Sequence, residues 1–155
     1  SQLTLIMCFQ SLILDMAGNV GTQSLAVTIR VLMDESLTGK QKLQLVFKEM
    51  RIGFCNGLLL GVLSFAVIGL FIFLFKGKTM MFAFSVSACI GIALLLAMLI
   101  SSAVGTCIPL FFKKINIDPA VASGPLITTV NDLVAVITYY GLSWLFLIEM
   151  LHLAG

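Results

Sequence analysis

The fold class this sequence predicts is all-α: a polytopic bundle of membrane helices with four membrane segments. Three observations predict it. Of the 155 residues, 60% are hydrophobic and 10% charged, against roughly a quarter charged in soluble domains, and the mean hydropathy is +1.14. The apolar residues gather in four blocks, each with about the 20 residues that a bilayer crossing needs. The connectors between blocks are short and hold most of the lysines and arginines. The length suits one domain, here the whole of 1–155.

The first block runs from Leu3 to Met33 and is interrupted by the polar stretch "LDMAGNVGTQS" at 14–24. Connector 34–51 follows. In its second half Leu43, Val46, Phe47 and Met50 recur at helical spacing, which predicts an amphipathic helix lying at the membrane interface. The second block, Ile52–Phe75, has no charged residue and spans ~36 Å at ~1.5 Å per residue, enough to cross with tilt. Its Gly53, Gly57 and Gly61 make one smooth face, expected to bury against another helix because small side chains let membrane helices approach closely. "KGK" at 76–78 reads as a tight turn. The third block runs from Met80 to about Phe112 without a charge, and Pro109 is expected to kink or end it. "KKINIDP" at 113–119 leads to the fourth block, about Ala120 to Leu151, with Pro119 and Pro125 at its start and Asp132 as its one charge before the exit.

Orientation follows from the cationic residues. Lys40, Lys42, Lys48, Arg51, Lys113 and Lys114 lie on one side, against Lys76 and Lys78 on the other. The first group is placed in the cytoplasm, so the C-terminal "EMLHLAG" lies outside. His152 is alone and reads as no ligand. Cys8, Cys55, Cys89 and Cys107 have neither metal-ligand nor redox spacing and read as small buried hydrophobes. No basic cluster with interleaved aromatics marks a nucleic-acid partner. There is no cleavable signal pattern, and the abrupt apolar opening reads as a chain that lacks an upstream part.

An ionisable group inside the bilayer costs about 2.5–3.5 kcal/mol on insertion scales and tends to face a cavity. Asp15 and Asp132 qualify. Gly124, Thr128, Thr129 and Asp132 share a helical face, and Pro125 is expected to free a carbonyl one turn earlier. Freed carbonyls beside a carboxylate suit a hard cation; the alternative is an interhelical hydrogen bond. In the first block Ser11, Asp15, Asn19 and Gln23 recur every fourth residue, with Thr22 nearby. Gly18 and Gly21 let the backbone bend or unwind. Irregular backbone at membrane depth is tolerated where it lines a cavity, so Asp15, Gly18, Gly21 and Gln23, with Thr129, are expected to line a pore; a re-entrant packing kink is the alternative. All the candidate ligands are oxygens, which favours magnesium, calcium or manganese over zinc or copper. Magnesium keeps several waters and uses one or two carboxylates, which a sparse site fits.

"DMAGNVGTQSLAVTIR" resembles the glycine–asparagine–glycine–x–glutamine segment of MgtE-type magnesium transporters. "INIDPAVASGPLITTVNDL" resembles the stretch leading into that family's last membrane helix, and "FKEMRIG" between them is also similar. The resemblance runs over nearly the whole chain. It implies a homodimer with an ion pathway along the dimer axis. It implies that Asp132 holds a hydrated magnesium ion, that Gly124 and Thr128 contribute backbone oxygens near it, and that Asn19 and its glycines line the same pathway. Typical members also carry a cytosolic helical domain and a paired CBS domain that sense magnesium. Neither motif is found in this chain, and the first of five membrane helices also reads as missing, so a separate cytosolic regulatory domain is a candidate partner.

The function expected is divalent-cation transport, with magnesium as the transported ion and manganese or cobalt as alternatives, in the cell (inner) membrane among lipid. No Walker-type loop marks an ATP site. A non-conducting assembly subunit is one alternative. An intramembrane aspartyl protease using Asp15 and Asp132 is another, disfavoured because "TVND" lacks a glycine-flanked aspartate and Asp15 lacks a preceding tyrosine.

Overall fold

The computed structural model describes residues 8–34, 36–122 and 124–153, with side chains to 146. The start of the first block and the reading of His152 fall outside the described residues and side chains. Four helices, α1 (Gln10–Asp34), α2 (Gly39–Phe75), α3 (Met80–Lys114) and α4 (Gly124–Leu153), are joined by short connectors, and a 3₁₀ turn, Pro119–Val121, precedes α4. The centre of the bundle is α3: α2 packs along one side of it and α1 and α4 along the other, while α1 barely meets α2.

Local chemistry sets the helix ends. Thr38 and Gln41 form a capping box at the start of α2: the Gln41 amide donates to Thr38 Oγ1, and the Thr38 amide to Gln41 Oε1 at 2.8 Å. The reciprocal pair satisfies two donors that the helix start would leave open. Thr79 caps α3 by accepting from the Phe82 amide. Between them Gly77, at φ +58°, makes the reversal that α2 and α3 need to run antiparallel, a conformation free of penalty only for glycine. Asp118 accepts from the Ala120 amide at 2.9 Å and opens the 3₁₀ turn.

Several expectations are corrected. The interfacial helix expected in 34–51 is no separate element: it is the first part of α2, one unbroken helix of 37 residues. Leu43 and Phe47, assigned to its apolar face, are exposed, whereas Leu45 and Glu49 are buried. Pro109 does not end the third block, because α3 continues through it to Lys114. Gly18 and Gly21 do not unwind the first block, since α1 is helical throughout. Pro125 stands in the first turn of α4, where a missing amide breaks no helical bond. Of the four cysteines only Cys89 is buried; Cys8, Cys55 and Cys107 are exposed.

Ile13 and Ala17 of α1, Ile68 and Ile72 of α2, Val86, Ile90, Leu94 and Ala97 of α3, and Ala135 and Tyr139 of α4 form the main core. The outward side of α2 is a continuous apolar surface that includes Leu59, Val62 and Val67, all more than half exposed. Such a surface is costly in water and suits lipid. Among the described residues three helices, α2, α3 and α4, are long and apolar enough to cross a membrane. At 25 residues α1 is long enough as well, but its polar stripe lowers its apolarity.

Candidate functional site

Gly53, Gly57 and Gly61 seat α2 on α3, as their spacing predicts. A Cβ added at Gly61 would stand 2.8 Å from the Gly91 carbonyl oxygen, and one at Gly57 would stand 2.8 Å from Leu95 Cα. On the other side of α3, Gly105 lies against the Gly21 carbonyl, and Gly21 in turn lies against the Asn131 side chain. Gly21 is thus the crossing point of α1, α3 and α4. Of the two glycines that read as flexibility, Gly21 is a contact, where the α1 and α3 backbones meet and the Asn131 side chain of α4 packs.

The Gly21–Asn131 contact and the hydrogen bond from Tyr140 Oη to Gln10 Oε1 (2.7 Å) run α1 and α4 antiparallel. Helix rise then gives depths. Measured from the Gly21–Asn131 level toward the other end of the bundle, Asp132 lies ~1.5 Å along, Asn19 ~3 Å and Asp15 ~9 Å. Asp132 and Asn19 therefore share a layer, with Asp15 about one helical turn beyond.

Ser11, Asp15, Asn19 and Gln23 are all exposed on the face of α1 away from the core. Asn19 Nδ2 donates to Asp15 Oδ2 at 3.4 Å. Thr22 returns its hydroxyl to the Gly18 carbonyl at 2.9 Å. A Cβ at Gly18 would meet nothing within 4 Å, so this side of α1 is open. On α4, Asp132 and Thr129 are exposed and Gly124 and Thr128 partly so. Thr128 and Thr129 both donate to the Pro125 carbonyl, at 3.1 and 2.8 Å, so that carbonyl is already occupied. The chain brings Asp132 and Asn19 to one depth and leaves them, with Thr129 and Gln23, facing outward rather than into its own core. These side-chain oxygens thus stand on the outer surface of the described bundle. Among the described residues no group of three histidine, cysteine, aspartate or glutamate side chains comes together.

Two buried polar residues were missed in the sequence. Asn131, beside Asp132, is fully buried, and neither amide atom has a hydrogen-bond partner. Glu49 is 1% exposed, and neither carboxylate oxygen has a partner. Glu49 falls within the connector 34–51, off the apolar face expected at Leu43, Val46, Phe47 and Met50. The signal that could have found it is its place on the line Leu45, Glu49, Gly53, Gly57, Gly61, at the four-residue spacing of the packed face.

Comparison with known proteins agrees with the motifs. The family model of MgtE, a divalent cation transporter, matches residues 10–142. The chain is 34% identical over 146 residues to a magnesium transporter MgtE of Bacillus subtilis (strain 168) and 33% identical over 147 residues to one of Enterococcus faecalis. It is 28% identical over 144 residues to one of Thermus thermophilus. These alignments cover 94%, 95% and 93% of this chain and 30% of each relative. The chain thus spans less than a third of the length of the relatives it matches.

Proposed function

The chain belongs to the MgtE family of divalent cation transporters, a family of transporters rather than enzymes, and from that premise we propose that it forms the ion-conducting membrane part of a magnesium transporter. Four membrane segments, α1 included, cross the bilayer of the cell (inner) membrane, and two copies meet with α1 and α4 nearest their common axis. The observation that carries this reading is the outward-facing layer of Asp132 and Asn19. The bundle buries its apolar side chains against α3 and leaves a carboxylate, amides and hydroxyls unenclosed on helices α1 and α4. A carboxylate left facing hydrocarbon is expensive; a second copy across an axis would turn two such faces into one water-filled path.

In that path the pair of Asp132 carboxylates attracts a hydrated magnesium ion through its waters. Asn19 adds an oxygen ligand at the same depth, and Thr128 ~6 Å and Gly124 ~12 Å back along α4 add theirs on the approach; Asp15, Gly18, Gln23 and Thr129 belong to the wall, with the buried Gly21 behind it. The ion moves inward with the membrane potential, which supplies ~4.6 kcal/mol per 100 mV for two charges. Manganese and cobalt are alternative cargoes. Control of the pathway belongs to regions that the longer relatives have, or to a separate cytosolic regulatory domain. The test is magnesium flux into liposomes. The parent chain is expected to carry magnesium and Asp132→Asn to lose most of it at unchanged size-exclusion profile. Equal flux from both would remove Asp132 from the pathway, and no flux from the parent would favour a non-conducting subunit.

A further inference from the structure

Glu49 lies on the side of α2 that faces α3. One turn along, Gly53 meets Ser102 and the Met98 carbonyl. Because the helices are antiparallel, the next turn of α3 sets the buried Thr106 near the level of Glu49, with Pro109 ~4.5 Å beyond. The two hydroxyls here have already given away their protons: Ser102 Oγ donates to the Leu99 carbonyl at 2.8 Å and Thr106 Oγ1 to the Ser102 carbonyl at 2.9 Å. They offer lone pairs only. Lys48 and Arg51 are exposed on other sides of α2, Lys113 and Lys114 are exposed at the end of α3, and the half-buried Lys42, two turns before Glu49 on α2, makes no hydrogen bond to it.

An ionised carboxylate buried without a cationic partner is costly. A group that is 1% exposed is reached only when α2 and α3 part locally, and an ion needs less of an opening than a side chain from another polypeptide. Every available donor atom is an oxygen, the ligand set of a hard cation such as magnesium. We propose that Glu49, with Ser102 and Thr106, forms a second divalent-cation site inside each subunit, between α2 and α3 and separate from the Asp132 layer. The site goes beyond the pathway proposed above and does not depend on it.

The test is calorimetric titration of the purified full chain with magnesium chloride, in an Asp132→Asn background so that the outward-facing layer lacks its central carboxylate. The Asp132→Asn chain is expected still to bind magnesium. Adding Glu49→Gln, which keeps shape and one oxygen, should weaken that binding by at least about tenfold, while Glu49→Asp should retain part of it. Circular dichroism and size exclusion establish that each variant is folded. If the Asp132→Asn chain binds no magnesium, or if adding Glu49→Gln leaves the isotherm unchanged, Glu49 holds no divalent cation. A folded Glu49→Asp variant that loses all binding would count against direct ligation as well. Since the magnesium-flux outcome for Asp132→Asn is measured independently, the failure of either site can be told from the failure of the other.

Discussion

Replacing Gly61 by alanine tests the contact that holds α2 to α3. Gly61 and Gly91 approach backbone to backbone, and a methyl at either position would stand 2.8 Å from the carbonyl oxygen of the other. Ordinary carbon–oxygen contact begins about 0.6 Å farther out, and the atom in the way is backbone, so a rotamer change cannot relieve it. Alanine has a helix advantage of about 0.8–1.0 kcal/mol over glycine. Forcing a methyl into a packed contact costs about 1–3 kcal/mol. The net expectation is a loss of up to about 2 kcal/mol. Gly141→Ala is the control: its methyl meets nothing within 4 Å, so only the helix advantage should appear, about 1 kcal/mol of stabilisation. The two variants should therefore shift thermal unfolding in detergent in opposite directions, by about 2–4 °C per kcal/mol. Gly61→Ala combined with Gly91→Ala should cost less than the sum of the two, because helices parted by the first methyl have room for the second. If Gly61→Ala raises the midpoint as Gly141→Ala does, the two backbones are not in contact and the packing described for α2 and α3 is wrong.

Asp15→Asn should lower magnesium flux less than Asp132→Asn does, since Asp15 lies about one turn from the shared layer and Asn19 already donates to it; equal losses would disprove that ranking. Thr38→Ala should cost about 0.5–2 kcal/mol by removing the capping box of α2, read as faster hydrogen exchange at residues 39–42, and unchanged exchange would deny the cap any role. In a cysteine-free background, a cysteine at Lys40 should react with impermeant thiol reagent only from the cytoplasmic side and one at Lys78 only from outside; reversal would invert the topology. A cysteine introduced next to Asp132, at Leu133, should cross-link to its own copy in membranes, and cross-linking confined to Leu59 on the outward side of α2 would move the axis to that face.

The helices of this chain were legible because apolar length and charge placement speak for themselves, and the packed face of α2 because four-residue glycine spacing has one geometric meaning. The breaks were not. Gly18, Gly21 and Pro109 carry low intrinsic helix preference, which locally argues for a bend, yet each stands in continuous helix because neighbouring helices pack against the backbone there or hold the turns on either side. Propensity is a weak prior when tertiary contact decides. The polar stripe of α1 was readable as a stripe, and its exposure agrees. Glu49 and Asn131 were not, because a single sequence marks a residue as polar without saying which neighbour it will face. The register between α2 and α3 is what buries Glu49.

The unbroken length of α2 has a mechanical meaning. With 37 residues in one rod, it is ~56 Å long at ~1.5 Å per residue, against ~30 Å of hydrocarbon. Its Gly39 end stands ~33 Å from Gly61, so a 5° tilt about that contact swings the end by ~3 Å. A rod without a hinge works in both directions: a push at its capped tip arrives at the glycine fulcrum as leverage, and a repacking at the fulcrum is magnified at the tip.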